Sequence, residues 1–594
     1  MNTIAKLLIL YFIILVNLVL LYRYFPQKPQ PPYVPTHYGL SLARPEHRKY
    51  TSPAVEQFLT KVESQMKDKD LYVLLQNCLP NTLDTTIEWF NYNNTDPRTF
   101  LITGDIPAMW IRDSTNQISP YIRFVNEDPG LKDLVFGVIQ VQASYLDYDP
   151  YANAFLRPWY APPVENPRKG STTDKVTPAY DPTLVWESKY ELDSISHFFK
   201  LTNDYVDATG EIERVLESTD WMNAATRVLK VLQDQMKDTW PSTSTAFIQD
   251  DPQRVPLEQG YRFTRYTDRP TETLGQSGIG GIGKKCGLIK SAFRPSDDAT
   301  TLPYLIPANA HISVELTRLS KHIRAYTKAN YRQEYKDLAE IAHKIGQTVK
   351  IAVERHGVVT HPVFGQIYAY EVDCYGSVLI MDDANLPSLL SLPYLGFTTK
   401  NDVVYQNTRR LVLSHWNPWY FEGKFVKGIG SPHTGEDMVW PMSILMQIKT
   451  SSSEHEIRKL IDLVKQVAKS ANSLMCESMN SNEPSKYTRS WFSWANGLAG
   501  TLREKYVGKT VRLVGKITSF SGNTAVLEAS DHGQVLVHLN GESQWGTQYV
   551  EVIGQVDQDF TIREFKTTNM GDNFDLDLAN KVVEFGQRCP EIFE

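Results

Sequence analysis

The sequence predicts a multidomain protein: an all-α toroid, then a small all-β barrel of the OB type with a C-terminal helix, both behind an N-terminal membrane anchor helix. Three observations predict it. Between about residues 52 and 502, segments of period near 3.6 recur about a dozen times among long Gly- and Pro-rich loops, as amphipathic helices do. After Lys505 this gives way abruptly to alternation of apolar and polar residues. A length of 594 residues also exceeds what one ordinary core organises.

From the N-terminus, residues 7–22 form an apolar run interrupted only by Asn17, led by Lys6 and followed by Arg23. Its length approaches the roughly 20 apolar residues of a membrane span. No small-residue cleavage site appears in RYFPQKPQPPYVP, so residues 1–25 read as an uncleaved signal anchor. Positive charge flanks both ends, which leaves the orientation weakly determined by charge. Residues 26–51, Pro-rich from Pro26 to Pro35, then form a stiff stalk off the bilayer.

Residues 52–502 hold the helices, clearest over 55–66, 131–145, 308–324, 334–354, 456–473 and 491–502, with no strand run of comparable strength between them. About a dozen helices in one such unit fit a ring of alternating inner and outer helices whose end loops build a cleft; the alternative is an irregular all-α bundle. No fixed repeat of roughly 30 to 45 residues supports a solenoid. In residues 504–594, strands are expected over 507–517, 523–528, 533–539 and 549–556, with turns at Ser521-Gly522-Asn523 and Asp531-His532-Gly533. A helix follows over about 576–586, and this composition suggests an OB-type barrel.

A net charge of −7 predicts no global attraction to nucleic acid. The five cysteines lack zinc-site spacing and leave the redox compartment open. Chemistry concentrates instead in the helical domain's loops. TGDIPAMWIRDSTNQ sets Trp110, a flat face for a sugar ring, beside Arg112 and Asp113, donors and acceptors for vicinal hydroxyls. Asp105, Glu191, Asp193, Asp297, Asp298, Asp382, Asp383 and Glu477 are further loop carboxylates. Glycoside hydrolysis needs two: an acid for the leaving oxygen and a second carboxylate for water or direct attack. Each alone reads equally as a helix cap or a structural ion pair. Trp110, Trp186, Trp416, Trp419 and Trp491, in or beside the same loops, are harder to explain by capping.

ITGDIPAMWIRDSTNQISPY, DPYANAF, WESKYELDS, FRPSDDAT with YLIPAN, YEVDCYGSVLIMDDANLPSLLSLPYLG, GIGSPHTG and RSWFSWAN, in this order, resemble glycoside hydrolase family 125, the exo-α-1,6-mannosidases, over roughly residues 71–500. The resemblance implies an (α/α)6 toroid, an inverting mechanism, a mannose-containing glycan as substrate, and neither metal nor cofactor. In this toroid type the general acid lies between the fifth and sixth helices and the base just before the twelfth. The resemblance therefore points to Asp297 or Asp298 as acid, with Asp298 preferred, and to Glu477 as base. Adjacent carboxylates raise one another's pKa, which would keep one of the pair protonated. Asp105, Trp110, Arg112, Asp113, Asp193, Arg294, Asp383 and His433 become candidates for holding the mannose. His433 in SPHTG reads equally as a buried structural histidine.

VGKTVRLVGKI, SGNTAVLEASDHGQVLVHL, YVEVIGQV and GDNFDLDLANKVVEF resemble the small subunit of replication protein A. Residues 504–594 carry 8 Lys and Arg against 14 Asp and Glu, a net of −6, which argues against an electropositive groove for single-stranded DNA. Direct DNA contact is expected to be weak or absent. Leu576, Leu578, Val582, Val583 and Phe585 on the final helix are candidate contacts for partner subunits; the alternative is a helix that caps its own barrel. The two resemblances differ in compartment: a mannosidase behind a signal anchor belongs in the secretory pathway membrane with a lumenal catalytic domain, a replication subunit in the nucleus. GLAGTLREKYVGKT passes from one to the other without a linker. That junction fits two neighbouring genes read as one at least as well as a true fusion.

Overall fold

Outer and inner helices of the ring begin differently, and the difference places the cleft. Among the residues described by the computed structural model (48–66, 68–92, 95–165, 167–171, 173–240, 260–502, 510–529, 533–556 and 561–579) there are twelve α-helices of eight residues or more. They are α1 (Pro53–Gln65), α2 (Lys69–Cys78), α3 (Ile111–Ile118), α4 (Pro129–Tyr148), α5 (Leu192–Thr209), α6 (Thr219–Gln235), α7 (Ile306–Thr327), α8 (Gln333–Ala352), α9 (Val403–Val412), α10 (Pro441–Thr450), α11 (Glu454–Ser470) and α12 (Ser493–Gly500). Helix α3 packs on α5 and α5 on α7, while α10 packs on α12 and α12 returns to α3, closing an inner ring. Between α7 and α10 the inner position is filled by turns over residues 382–397, where Pro387 and Pro393 remove backbone donors. There Asp382 accepts from the Leu389 and Leu390 N–H groups, Gly396 lies against Val314 of α7, and Tyr394 lies under Lys449 of α10.

The outer layer is α2, α4, α6, α8, α9 and α11. Five of these six, with α1, start at a Ser or Asp whose side chain accepts from an N–H of the first turn. No inner helix has such a cap. The residues that precede the inner helices belong to the cleft. Burial separates the layers as well: all eight residues of α3 and all eight of α12 are buried, against eight of twenty in α8. The sequence IRDSTNQI has weak helix propensity, and tertiary bonding overrides it. Ser114 and Asn116 donate back to carbonyls one turn earlier, and Gln142 of α4 donates to the Ile111 carbonyl and the Ser114 and Thr115 hydroxyls.

The expectation of no competing strands needs correction, because among the described residues seven small sheets of two or three strands brace the loops. One joins Met109–Trp110 to Ala154–Phe155 and that to Val185–Glu187. Strands of two or three residues are too short to show a period. A disulfide joins Cys286 and Cys374, with Cα atoms 6.4 Å apart. Cys78 and Cys476 are buried and free.

The C-terminal barrel has five strands: β1 (Thr510–Ser521), β2 (Thr524–Ala529), β3 (Gln534–His538), β4 (Tyr549–Val556) and β5 (Ile562–Gly571). It closes in the order β1-β2-β3-β5-β4, with β3 and β5 parallel and the other pairs antiparallel. Strand β5 is additional to the four expected. One of its two fully buried positions is Glu564, which accepts from the Asn540 N–H, the Trp545 indole and the Thr567 hydroxyl, so the apolar alternation fails there. Leu527, Val537, Val550, Val552 and Ile562 form the core. A helix begins at Leu576; Val582, Val583 and Phe585 lie outside the described residues. So do the expected anchor and stalk, and among the described residues no helix is long and apolar enough to cross a membrane.

Candidate active site

The loops before α3, α5, α7, α10 and α12 surround a cleft of about 240 Å³. Trp110, Arg112, Asp113, Asp297, His433 and Glu477, all expected from the sequence, stand in its wall. Asp105, Asp193, Asp298, Arg294 and Asp383 do not line it, and act from behind. Asp105 accepts from Arg489 through Nε (2.9 Å) and Nη2 (2.6 Å). Arg294 is buried and donates to Glu371 at 2.6 Å. Asp383 accepts from the Asn385 N–H and amide and from the Ser431 hydroxyl, fixing the loop that leads to His433.

Arg112 organises one side. Its guanidinium lies 2.6 Å from Glu191, 3.1 Å from Asp297, 3.2 Å from Asp193 and 3.3 Å from Asp113. Three buried acids and the part-buried Asp297 around one cation cannot all ionise at ordinary pH. Burial pushes the Glu191 carboxyl far up despite Arg112, and raises Asp113 and Asp193 to about 6. Burial acts on Asp297 too, but Arg112 and Lys189 hold that carboxyl well below the usual range. The expectation that Asp298 would raise Asp297 is therefore corrected: the two cations decide its charge. Asp297 also accepts from the Trp110 indole and the Asn153 amide, both at 3.3 Å, while Lys189 Nζ donates to its carbonyl at 2.8 Å. Its φ of +65° is in the left-handed region, rare for residues other than glycine and costing about 1 kcal/mol or more. The tight loop in which the Arg294 N–H donates to the Asp298 carbonyl and the Asp297 N–H to the Arg294 carbonyl over-determines that conformation.

Asp298 is 1% exposed, and its Oδ2 has no hydrogen-bond partner among the described residues. It lies 3.8 Å from Nδ1 of His433. Burial would lower the His433 imidazole, but Asp298, reinforced by Glu477 and Asp297, raises it to about 9, so it is imidazolium at neutral pH. Across the cleft's lining, Glu477 precedes the strand Ser478–Asn480. Its Oε2 accepts from Thr488 at 2.9 Å and its Oε1 from Arg489 at 3.4 Å. Arg489 stacks over Phe492, 4.8 Å from the ring centre, which fixes the donor that orients this carboxylate.

Sequence reasoning missed Arg489, Lys189 and Arg265 and gave Glu191 no role. Arg489 opens RSWFSWAN, so a signal was present. Glu191 looks like a helix-start acid, and only the fold shows its 2.6 Å contact with Arg112. Arg265 pairs with Asp174 and Glu187, 91 and 78 residues away, which no local pattern reveals. Among the described residues no group of His, Cys, Asp and Glu is arranged to hold a metal ion.

Residues 68–502 match the family model of the metal-independent α-mannosidases, GH125, and residues 498–593 match that of replication factor A protein 3. The meiotically up-regulated gene 157 protein of Schizosaccharomyces pombe is 45% identical over 460 residues, 77% of this chain and 86% of that protein. A solved metal-independent α-mannosidase of Streptococcus pneumoniae, in a non-productive complex with α-1,6-mannobiose, is 32% identical with a TM-score of 0.67, over 77% of this chain and 99% of its own. A 14 kDa replication protein A subunit of Arabidopsis thaliana is 32% identical over 85 residues, 14% of this chain and 79% of that protein. A buried cation ringed by acids, a cleft between loops of an α-ring and a family match across most of the chain converge: this chain belongs to glycoside hydrolase family 125, the metal-independent α-mannosidases, and carries a C-terminal barrel like the replication protein A small subunit.

Proposed function

We propose that the ring domain is an inverting exo-α-1,6-mannosidase acting on mannose-rich glycans. The observation that carries this reading is that loops before two different inner helices bring Glu477 and Asp297 to one cleft, with Asp298 behind its wall beside His433. Arg112, Asp113 and Trp110 hold the terminal mannose. The proton that Asp298 shares with His433 goes to the leaving oxygen, Glu477 takes a proton from water as it attacks the anomeric carbon, and the sugar departs inverted. Asp297, kept anionic by Arg112 and Lys189, stabilises the positive charge that develops on the sugar ring. The S. pneumoniae complex with α-1,6-mannobiose supports the linkage. The Cys286–Cys374 disulfide suits an oxidising compartment and supports a lumenal location in the secretory pathway, with the expected N-terminal segment as anchor.

Glu477→Gln is expected to fold normally and to lose about 100 to 10,000-fold in kcat on α-1,6-mannobiose. Normal turnover overturns the assignment of the base. Asp298→Asn is expected to lose the disaccharide but to recover most activity on an aryl mannoside whose leaving group needs no proton; rescue of Asp297→Asn instead exchanges the two aspartates.

For the barrel, Leu578, 57% exposed at the start of the final helix, favours assembly with other replication protein A subunits over direct DNA reading. Leu578→Asp is expected to weaken that assembly in co-purification by about tenfold or more, and an intact complex refutes the reading.

A further inference from the structure

A second groove, of about 740 Å³, lies on the outer wall of the ring between α4 and α6. Its aromatic lining is Trp89, Tyr148, Trp159 and Tyr160. Trp159 is 52% exposed, Tyr148 43% and Tyr160 37%, although most large rings of this domain are buried. Trp159 meets Tyr160 edge-on at 5.0 Å and Tyr148 at a 43° tilt, so neither ring stacks flat on the indole. Three large rings left part-exposed at one groove call for a ligand with an apolar face.

The polar lining fits the edge of the same ligand. Arg98 is held between Asp96 at 2.8 Å and Asp220 at 2.6 Å, and Arg227 lies 3.5 Å from Asp147. Arg98 meets one oxygen of each of Asp96 and Asp220, and Arg227 one oxygen of Asp147. Arginine–carboxylate pairs next to part-exposed rings make the donor and acceptor pattern that vicinal diols satisfy, with Arg98, 14% exposed in its side chain, the more firmly held and Arg227 also donating to the Tyr148 carbonyl.

The chain also ties this groove to the catalytic cleft. Ala154 pairs with Trp110 of the cleft wall, and Trp159 follows five residues later. Chain reach of about 18 Å over those five residues, with about 5 Å for the strand pairing, then puts Trp159 within about 23 Å of Trp110, a separation that a branched oligosaccharide spans.

We propose that this groove is an accessory glycan site, which stacks a hexopyranose of a mannose-rich substrate on Trp159 while another branch enters the cleft. The class of ligand rests on the mannosidase reading above; the site itself rests on the groove. It predicts a division by substrate size. Trp159→Ala is expected to leave kcat and KM on α-1,6-mannobiose within twofold of the parent and to raise KM on yeast α-mannan about tenfold. In the Glu477→Gln full chain, with mannobiose saturating the cleft, retardation in a native gel containing mannan is expected to disappear on Trp159→Ala and to persist in Trp159→Tyr. Unchanged mannan KM and unchanged retardation overturn the accessory site, as does a parallel rise in KM on mannobiose. Failure of the parent chain to hydrolyse mannobiose strikes the mannosidase reading instead, and the gel still reads the groove independently.

Discussion

The ring and the barrel treat charge in opposite ways. In the ring, Arg112 is 3% exposed in its side chain and surrounded by four carboxylates. In the barrel, Arg512 pairs with Glu551 but is 71% exposed, and Glu564, the one buried acid among the barrel's described residues, is offset by three hydrogen bonds. The reason is size. A twelve-helix domain has enough apolar core to offset several buried ions, whereas the small cluster of Leu527, Val537, Val550, Val552 and Ile562 in the barrel does not. The ring therefore performs chemistry inside a cleft where the charges are fixed before substrate arrives. The barrel is left with its surface as the place to function.

Breaking the ring's charge cluster gives the largest expected effect. Arg112→Met leaves buried carboxylates without their cation, at a cost of about 3 to 5 kcal/mol. Calorimetry should show the ring's transition falling by several degrees, mannosidase activity lost, and the barrel's transition unmoved. An unshifted ring transition would mean that the acids are independent of Arg112.

The same contrast predicts the response to pH. Asp113 and Asp193 are raised to about 6 and Asp382 to about 7, so the folded ring binds protons more tightly than the unfolded chain, and stability falls as pH rises from about 4 through 7. His433, raised to about 9, contributes stability that is complete below about 6.5 and lost as pH passes 9. Both effects run the same way, and His433 is worth about 2 kcal/mol after allowing for its partial exposure. The ring's melting temperature is therefore expected to peak in mildly acidic buffer and to decline toward pH 9. His433→Asn should flatten the upper part of that decline, and a slope unchanged in this variant would separate it from His433.

How far the sequence could be read follows the same physics. Outer helices start at Ser52, Asp68, Asp128, Ser218, Asp402 and Ser453 with local caps, and their faces alternate against solvent, so they are visible in a linear pattern. Inner α3 and α12 are buried all round and uncapped, which leaves α3 with little period to detect, although α12 is legible within 491–502. The missing inner helix at residues 382–397 was invisible for another reason: its helix-like leucines are interrupted by prolines whose effect depends on Asp382 capping the turn. Site residues at helix starts, such as Arg112 and Asp113, stood out by composition. Arg489 and Glu191 were legible as charges but not as partners of Glu477 and Arg112, because long-range pairing is a property of the fold.

The most direct test of the mannosidase chemistry is proton NMR of α-1,6-mannobiose in the first minutes of digestion by the full chain, with excess chelator present. In the proposed mechanism a water activated by Glu477 attacks the face opposite the leaving oxygen, so β-mannose is expected to appear first and to mutarotate later, at a rate the chelator does not change. Initial release of α-mannose, or no release from this linkage, would contradict the mechanism.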